Sequence, residues 1–419
     1  MPVSPEIAAT IIDPKAYADG RIDPVFAQLR REAPVARVEA EGYAPFWIVT
    51  RHADIMEVER RNEDFLSGLL PVTLTSSVAQ EKAAASDFPV PRTLIQVDGM
   101  EHLALRRLTQ AWFMPQNLRN LEPRIRELAR TSVARMAASG GECDFARDIA
   151  LLYPLRVIME ILGVPEPDEP LMLKLTQEIF GGEDNELNRA GTDVDAEGAS
   201  EGIRAAMMEF VTYFAAMIAD RKANPRDDMA SLVANGEIDG KPLGFAEVVG
   251  YYLITATAGH DTTSNTTAAA MWAMAERPEL FGALKADPSL IPAHVEESIR
   301  WATSVKHFMR GVAHDTEIAG QKIAKGDWVM LSYHSGNRDE TVFDKPFEYD
   351  IYRSPNKHVA FGHGPHVCIG QHLGRMEMRI LWEELLPRLE SVELAGTPSY
   401  SNSTFVSGPK HVPIRFKMN

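Results

Sequence analysis

The chain has 419 residues, of which 45% are hydrophobic and 24% are charged, and these values are typical of a globular protein and unlike a disordered one. Acidic residues outnumber basic ones by 59 to 43, and the net charge of −16 argues against nucleic acid as a partner, because phosphate binding requires a basic surface. The only two cysteines, Cys143 and Cys368, argue against a disulfide framework and favour a reducing compartment.

The N-terminal segment lacks the basic stretch and the long apolar stretch of a secretory signal. No uninterrupted run of about 18 apolar residues occurs in the chain, so no transmembrane helix is expected. The sequence therefore predicts a soluble, cytoplasmic protein that does not use a membrane as a partner.

Strand-like and helical patterns occupy different parts of the chain. Alternating or β-branched runs fall at residues 46–50, 316–320, 328–332 and 412–416. Helical periodicity dominates from roughly 98 to 300, between β-rich parts at roughly 35–60 and 305–419. No Pro-, Gly- or Ser-rich linker and no internal repeat divides the chain, so we expect a single domain over residues 1–419. The predicted fold class is mainly α with small β-sheets.

An acidic, glycine-rich segment at residues 181–200 interrupts the helical pattern. Long irregular loops inside compact domains are often lids or mobile surface. The sequence therefore predicts an irregular loop here, and a solvated loop without function remains the alternative.

A long helical pattern follows at residues 245–276, which would span about 48 Å at 1.5 Å per residue. Its centre reads Ala-Gly-His-Asp-Thr-Thr (258–263), and glycine and threonine are poor choices for the middle of a helix. Polar, β-branched residues in the middle of a core helix predict a local distortion of the backbone. Taken alone, the same residues would also fit a surface patch or a helix cap.

In each of two pairs, the residues are spaced so that they would lie on the same face of a helix. Glu297 and Arg300 are three positions apart, so the carboxylate and the guanidinium are expected to meet. Most such pairs are exposed and contribute about 0–1 kcal/mol, so the pair alone is weak evidence for a role. His102 and Arg106 are four positions apart and place two hydrogen-bond donors on one face, although each also fits an ordinary surface base.

A single cysteine stands in a glycine-rich stretch, Phe-Gly-His-Gly-Pro-His-Val-Cys-Ile-Gly, at residues 361–370. The helical pattern of residues 371–386 follows directly. Cys368 would thus lie before a positive helix end, which lowers the pKa of a thiol and favours the thiolate that binds metals. Gly364 and Gly370 allow unusual backbone angles and the close approach of a flat ligand. A buried, inert cysteine is the alternative, since a lone cysteine is usually of that kind.

This cysteine stretch resembles the haem-ligand loop of cytochromes P450. The residues at the positions that the family requires are Phe361, Gly364, His366, Cys368 and Gly370. Residues 258–263 resemble the family's acid–alcohol motif, and residues 297–300 resemble its Glu-x-x-Arg helix. The resemblance covers nearly the whole chain. It implies the cytochrome P450 fold, a triangular prism in which the haem is buried between the long central helix and the cysteine-loop helix.

The resemblance also implies roles for individual residues. Cys368 would bind the iron of a haem b through its thiolate, and Asp261 and Thr262 would be the acid and the alcohol that deliver protons for oxygen activation. Glu297 and Arg300 would form a structural core with Arg353. The expected haem contacts are His102, Arg106, Ala258, Gly259, Arg310, Phe361, Gly362, His366, Cys368 and Gly370. The expected substrate-pocket residues are Ile254, Thr255, Ala258, Val305, Phe308 and Phe405.

Several local expectations follow from the same resemblance. Gly259 would leave room where a side chain would collide with bound dioxygen. Residues 98–102, Asp-Gly-Met-Glu-His, depart from the family pattern, in which two prolines commonly precede the acid, so the rigidity of this loop is open. The segment at 181–200 matches the connection over the substrate channel. The expected pocket walls are residues 66–97, 254–258, 305–308 and 404–406.

Within the family, the chain is similar to the soluble bacterial branch that oxidises α-terpineol. The similar segments are residues 153–155, 162–165, 168–177, 305–310 and 408–416. This likeness implies hydroxylation of a small hydrophobic substrate, a terpenoid or an alkyl-aromatic hydrocarbon, by a monomer that uses O2 and electrons from a ferredoxin and its NAD(P)H-dependent reductase. The expected basic docking patch for ferredoxin is Arg106, Arg107, Arg375 and Arg379.

Two other functions remain open at this stage. A peroxygenase also uses a thiolate-bound haem but takes hydrogen peroxide as its oxidant, and the intact acid–alcohol pair of Asp261 and Thr262 argues against it. A non-catalytic haem-binding or sensing protein is the second alternative, and the apparent lid and the apolar central helix favour turnover over it.

Overall fold

The computed structural model describes residues 2–85 and 91–419, and helices predominate in them. The helices are α1 (Pro5–Ile12), α2 (Pro14–Ala18), α3 (Ile22–Glu32), α4 (His52–Arg60), α5 (Ser77–Ala84), α6 (Gly99–Gln110), α7 (Pro115–Ala138), α8 (Leu152–Leu162), α9 (Glu169–Phe180), α10 (Ala196–Ala223), α11 (Met229–Ala234), α12 (Phe245–Ala258), α13 (Asp261–Glu276), α14 (Pro278–Ala286), α15 (Ile291–Ala302), α16 (Tyr333–Gly336) and α17 (Gln371–Leu385). The strands are β1 (Val35–Val38), β2 (Phe46–Val49), β3 (Phe65–Leu66), β4 (Glu142–Asp144), β5 (Glu237–Ile238), β6 (Lys241–Pro242), β7 (His307–Val312), β8 (Thr316–Ile318), β9 (Gln321–Ile323), β10 (Trp328–Ser332), β11 (Leu389–Leu394), β12 (Ser399–Tyr400), β13 (Pro409–His411) and β14 (Pro413–Met418). The predicted fold class, mainly α with small β-sheets, is confirmed.

The largest sheet joins strands from both ends of the chain. Its order is β1-β2-β10-β7-β3, in which β10 runs parallel to β2 and the other neighbours are antiparallel. The strands predicted from the sequence correspond to β2, β8, β10 and β14. β4 and the β5–β6 hairpin lie outside the β-rich parts that the sequence predicted. β4 is a strand because it pairs with β14, and a contact between such distant segments leaves no local sequence signal.

Helix α17, which follows the cysteine loop, forms because apolar residues recur on one of its faces. The positions predicted to be buried are Leu373, Met376, Met378, Ile380 and Leu381, and all of them are buried. The helix ends at Leu385, shortly before Pro387, which has no backbone N–H to continue it. It packs on α7 and α15, and the ring of Trp382 stacks on Phe145 at a centroid distance of 6.2 Å.

The central helix predicted at residues 245–276 is divided into α12 and α13. α12 ends at Ala258 and α13 begins at Asp261, and between them His260 has φ −107° and ψ −74°. The hydroxyl of Thr262 donates across the break to the carbonyl oxygen of Ala258 at 3.0 Å. Hydroxyl bonds of this kind bend helices. The distortion predicted from the threonine-rich centre is therefore present, and it interrupts the helix.

The predicted pair of Glu297 and Arg300 on α15 is fully buried. Arg300 donates to both carboxylate oxygens of Glu297, at 2.8 and 2.6 Å, and Arg353 lies 3.3 Å away. The backbone N–H of Asp350 and the side-chain amide of Asn356 donate to the same carboxylate at 2.9 and 3.0 Å. One carboxylate thus joins α15 to the irregular chain that precedes the cysteine loop.

The irregular segment predicted at 181–200 is shorter in the structure, where it covers residues 181–195. The side chain of Asp195 accepts a hydrogen bond from the N–H of Gly198 and so starts α10. By length and hydropathy, α10 is the one helix of the described residues that could cross a membrane, with a mean hydropathy of 1.3. That signal is weak, because core helices of soluble proteins meet the same criterion, and α10 packs against α9, α11 and α12.

Candidate active site

The cysteine loop is a tight turn that requires glycine at two positions. The N–H of Cys368 donates to the carbonyl oxygen of Phe361 at 2.8 Å, which closes the loop before α17. Gly362 and Gly364 have φ of +68° and +67°, and a Cβ at Gly364 would collide with the backbone oxygen of Glu59 on α4. Gly370 differs from the expectation, because its φ of −86° suits any residue.

Opposing effects act on the pKa of the Cys368 thiol. Burial raises its pKa, while the N–H groups of Gly370 and Gln371 and the nearby charge of Arg106 favour the thiolate. The helix end thus acts on the pKa in the predicted direction, but desolvation of the anion outweighs it, so the net pKa of the free thiol is raised. A metal cation at the sulfur would reverse the balance, since a coordinating thiol is deprotonated.

Cys368 lines a cavity that also reaches the break between α12 and α13. The cavity contains about 1560 Å³ of space free of protein atoms, part of it open to solvent. The cavity itself has a volume of about 240 Å³, slightly below the range of about 300–1,000 Å³ that is usual for small-molecule pockets. Its apolar lining includes Phe113, Ile158 and Ile299, none of which the sequence had indicated.

The structure brings together the expected substrate-pocket residues except one. Those that line the cavity are Ile254, Thr255, Ala258, Val305 and Phe308. Phe405 is not a lining residue and lies behind Phe308, with the two ring centroids 5.4 Å apart. The expected wall at residues 66–97 contributes Leu94 and Ile95, and its residues 86–90 lie outside the described residues.

All the residues expected to contact haem line the same cavity. They are His102, Arg106, Ala258, Gly259, Arg310, Phe361, Gly362, His366, Cys368 and Gly370. Gly259 has no room for a side chain, because a Cβ there would collide with Ile158, another residue of the cavity lining. The loop at Asp98, whose rigidity the sequence left open, is held by the N–H groups of Ser67 and Gly68, which donate to its carboxylate at 2.9 and 2.7 Å.

Four basic side chains line this cavity, namely His102, Arg106, Arg310 and His366. Arg310 is buried, donates to the carbonyl of Met309 at 2.9 Å, and has its Nη2 3.8 Å from a carboxylate oxygen of Glu59. A guanidinium has five N–H donors, so this buried cation lacks a full set of partners. The rings of His102 and His366 lie 4.1 Å apart, and burial lowers the pKa of His102 to about 4.

These features fit the haem that the sequence implied. The cavity offers one sulfur donor, an apolar lining, and buried cations and imidazoles suited to two carboxylates. Among the described residues no group of three or more His, Cys, Asp or Glu side chains forms another metal site. The donor set is therefore that of a group which brings its own nitrogen ligands for the metal and takes one thiolate from the protein.

The predicted acid and alcohol lie at the helix break. Thr262 lines the cavity, whereas Asp261 is buried beside it and is not a lining residue. One oxygen of Asp261 lies 3.4 Å from Nδ1 of His260, and the other has no hydrogen-bond partner among the residues that the structure describes. Burial raises the pKa of Asp261, and His260 opposes this rise.

Two buried carboxyl groups near the cavity were missed from the sequence. Glu377 lines the cavity, and burial raises its pKa well above the usual range. It lies four positions after Leu373 on the buried face of α17, and this spacing was the available signal. Burial raises the pKa of Glu59 to about 7, against the opposing effects of Arg310 and Tyr333. Nothing in the local sequence marks Glu59, whose burial depends on the cysteine loop folding over α4.

The loop at residues 181–195 is attached to the C-terminal strands by two adjacent basic residues. Lys410 lies 3.0 Å from both carboxylate oxygens of the buried Asp184. His411 lies between two carboxylates, with Nδ1 2.6 Å from Asp144 and Nε2 2.7 Å from Glu186. An imidazole can donate to both carboxylates only when it is protonated.

We expect this attachment to weaken as the pH rises. Partial burial alone would lower the pKa of His411, but the hydrogen bonds to Glu186 and Asp144 outweigh it and raise the pKa above the usual value of about 6.5. The folded state therefore holds this proton more tightly than the unfolded state. The stabilisation is complete below about pH 6.5 and is lost as the pH rises through the raised pKa. Amide exchange in residues 182–195, corrected for intrinsic rates, should be faster at about pH 8 than at about pH 6.

The variant His411→Gln is the control for this pH dependence. Its amide cannot titrate, so the exchange of the loop should become nearly independent of pH, while Lys410 and Asp184 remain in place. The same pH dependence in both proteins would show that another group is responsible.

Comparisons with known proteins agree with these features. A family model described as cytochrome P450 matches residues 76–414. Cytochrome P450-terp from Pseudomonas sp is 46% identical over 415 residues, which cover 98% of this chain and 97% of that protein. Linalool 8-monooxygenase from Pseudomonas putida is 32% identical, with 96% of this chain and 97% of that protein covered. The crystal structure of CYP108D1 from Novosphingobium aromaticivorans DSM12444 matches with a TM-score of 0.91 and 44% identity over 100% of both chains.

Proposed function

This chain belongs to the cytochrome P450 family and is a monooxygenase with a thiolate-bound haem iron, and from that premise we propose that it hydroxylates a small hydrophobic substrate, a terpenoid or an alkyl-aromatic hydrocarbon. The observation that carries this proposal is the cavity, in which the sulfur of Cys368 shares one apolar space with Thr262 and Phe308. The names of two relatives, cytochrome P450-terp and linalool 8-monooxygenase, support a terpenoid.

The cavity can select a substrate mainly by shape. Ile254, Val305 and Phe308 offer no hydrogen bond through their side chains, so a C–H bond would be oriented by apolar contact. Burying an apolar ligand there gains about 25 cal/mol per Å² of apolar surface removed from water. A compact hydrocarbon skeleton therefore suits this wall better than a polar or extended molecule.

In this proposal the cofactor is haem b, which supplies the activation of dioxygen when it is bound. Cys368 holds its iron through the thiolate. His102, Arg106, Arg310 and His366 hold its carboxylates through charge-assisted or neutral hydrogen bonds.

Protons reach the cavity through Asp261 and Thr262 in this proposal. The Thr262 hydroxyl, which donates to the carbonyl of Ala258, can turn toward a ligand in the cavity and donate a proton there. Asp261 can replace that proton from its protonated carboxyl group, a form that burial favours by raising the pKa of Asp261. The apolar side chains around them limit the entry of bulk water.

We propose that the electrons come from a ferredoxin and its NAD(P)H-dependent reductase, and that the protein works as a cytoplasmic monomer. Of the docking residues expected from the sequence, Arg107 is exposed, and Arg106 is partly buried and donates to the carbonyl of Val367. Arg375 is paired with Glu296, and Arg379 is paired with Glu122 and Glu383. The pairs reduce the positive potential of this patch, so a ferredoxin would meet a face of mixed charge.

A spectral titration with a turnover assay tests this function. Terpenoids and alkyl-aromatics should shift the Soret band of the ferric protein as they displace water from the iron. Product should then require ferredoxin, reductase, NADH and O2. Equal product with hydrogen peroxide alone would indicate a peroxygenase, and haem binding without any product from either mixture would indicate a binding or sensing protein.

Thr262→Ala is expected to separate electron use from hydroxylation. The hydroxyl that donates protons in the cavity is lost, while the cysteine loop is untouched. NADH consumption should persist, product formed per NADH should fall at least about tenfold, and hydrogen peroxide should rise. The ratio of product to NADH and the peroxide yield are the measurements.

Thr257→Ala is the matched control. Thr257 donates to the carbonyl oxygen of Leu253 at 2.9 Å, four positions earlier, as Thr262 does to Ala258, but it is not a cavity-lining residue. Coupling in this control should match the wild type. Unchanged coupling in Thr262→Ala would remove Thr262 from the proton path.

A further inference from the structure

His307, the first residue of β7, connects two segments that are far apart in the sequence. It is 1% exposed. Its Nε2 accepts a hydrogen bond from the backbone N–H of Leu74 at 3.0 Å, and its Nδ1 lies 2.8 Å from the carbonyl oxygen of Thr404. One buried imidazole therefore joins the chain before α5 to the loop between β12 and β13.

These two partners determine the protonation state of the ring. A backbone N–H can only donate and a carbonyl oxygen can only accept, so Nε2 must be bare and Nδ1 must carry the proton. The neutral ring in this one tautomer satisfies both partners. Burial also lowers the pKa of His307 to about 4, so the ring is neutral at ordinary pH.

The side-chain bonds of His307 lie among backbone bonds that join the same segments. Lys306 N–H donates to the carbonyl of Phe405 at 2.8 Å, and Met309 N–H donates to the carbonyl of Val72 at 2.8 Å. His307 thus stands at the centre of a three-segment junction. The backbone bonds fix the register of the junction, while the imidazole fixes the separation of its two outer segments.

Phe405 connects this junction to the cavity. Its ring centroid lies 5.7 Å from that of His307 and 5.4 Å from that of Phe308. It also contacts Phe180, the last residue of α9, at 6.1 Å. Phe308 lines the cavity, and Phe405, which is not a lining residue, packs against its ring, so the position of Phe405 bears on that of Phe308.

We propose that His307 is a positioning residue that sets the width of the substrate cavity by holding Phe405 behind Phe308. This inference rests on the proposed function only in that an apolar substrate occupies the cavity. His307 touches neither the cavity nor the expected haem contacts, so its effect on selectivity passes through the two phenylalanine rings.

Three substitutions separate the effects of the two hydrogen bonds that the His307 ring makes. His307→Asn keeps a donor near the place of Nδ1 and so favours the bond to Thr404. His307→Gln extends an acceptor toward the place of Nε2 and so favours the bond to Leu74. His307→Leu removes both bonds at similar size. Because Thr404 adjoins Phe405, His307→Asn should restore more of the wild-type behaviour than His307→Gln.

The test uses ligands that bind haem iron directly, so it does not depend on knowing the substrate. The haem-loaded protein is titrated with two ligands. Imidazole is too small for its binding to depend on the cavity wall at Phe308, whereas 4-phenylimidazole carries a phenyl ring whose binding depends on that wall. In His307→Leu the dissociation constant of 4-phenylimidazole should rise about tenfold, whereas that of imidazole should stay within about twofold. His307→Asn should keep most of the wild-type affinity for 4-phenylimidazole.

One further readout separates positioning from a merely structural role. The wild type and His307→Leu are labelled with ¹⁵N-histidine and compared by NMR in the ferrous–CO form, which is diamagnetic. The signal that is present in the wild type and absent from His307→Leu should be that of a neutral ring protonated at Nδ1. Both ligands weakening together, both staying unchanged, or an Nε2–H tautomer would overturn the proposal, even if the melting temperature falls. If terpenoids and alkyl-aromatics fail to bind while the 4-phenylimidazole effect appears, the proposed substrate class is wrong and the role of His307 stands.

Discussion

Glu297→Ala is expected to lower the free energy of unfolding by about 3–5 kcal/mol, because it removes one member of a buried ion pair. The substitution leaves Arg300, which is fully buried, without its carboxylate. It also leaves Arg353, the N–H of Asp350 and the amide of Asn356 without their common acceptor. Denaturant unfolding of the purified protein and the haem content after expression are the measurements, and both should fall.

Glu296→Ala is the matched control for this loss. Glu296 is the preceding residue of α15 and pairs with Arg375 and His358, but its side chain is 32% exposed. Exposed and half-exposed ion pairs contribute about 0–1 kcal/mol, so this variant should keep its haem and nearly all its stability. Equal losses in both variants, or none in Glu297→Ala, would contradict the structural role of the buried pair.

Asp261→Asn is expected to slow turnover by about 10²–10⁴-fold, which is the usual contribution of a positioned acid or base. His260 Nε2 lies 2.8 Å from the carbonyl oxygen of Leu151 and must carry a proton to bond with it. Its Nδ1 lies 3.4 Å from a carboxylate oxygen of Asp261. An amide has nearly the same shape as the carboxyl group but cannot release the proton that a carboxyl group carries.

Steady-state rates in H2O and D2O check this expectation. The variant should show a larger solvent isotope effect, because proton supply limits its rate. Substrate affinity should change little, since Asp261 is not among the cavity-lining residues. Thr262→Ala gives the contrasting result, with electron use retained and coupling lost. A rate for Asp261→Asn within about threefold of the wild type would remove the acid from the path.

Much of the fold could be predicted from local patterns. The apolar face of α17 and the strands β2 and β10 were predicted because their residues repeat with the period of the element. β4 was not predicted, because it is a strand only through pairing with β14. The interruption between α12 and α13 was expected as a distortion, since glycine and threonine weaken a helix wherever they occur.

The candidate site could likewise be predicted only in part from the sequence. Cys368 and the acid–alcohol pair occur in ordered motifs, so their chemistry was visible in the sequence. The net rise of the Cys368 pKa was not predicted, because the helix end is a local feature whereas desolvation depends on everything packed around the sulfur. Phe405 was assigned to the pocket wall but stands behind Phe308, and no sequence pattern distinguishes the two positions.

The sequence by itself determined the family and the mainly α fold, and it predicted the thiolate ligand and the proton-delivering pair, since each depends on residue types at short, fixed spacings. Only the tertiary structure decided that Glu297 is a buried carboxylate, that Glu59 and Glu377 are buried carboxyl groups, and that His307 joins two distant segments behind the cavity. Burial and hydrogen-bond partners depend on which distant segments meet. The sequence of residues 361–370 was therefore enough to predict a thiolate ligand. The cavity that this loop faces is formed by contacts between segments throughout the chain.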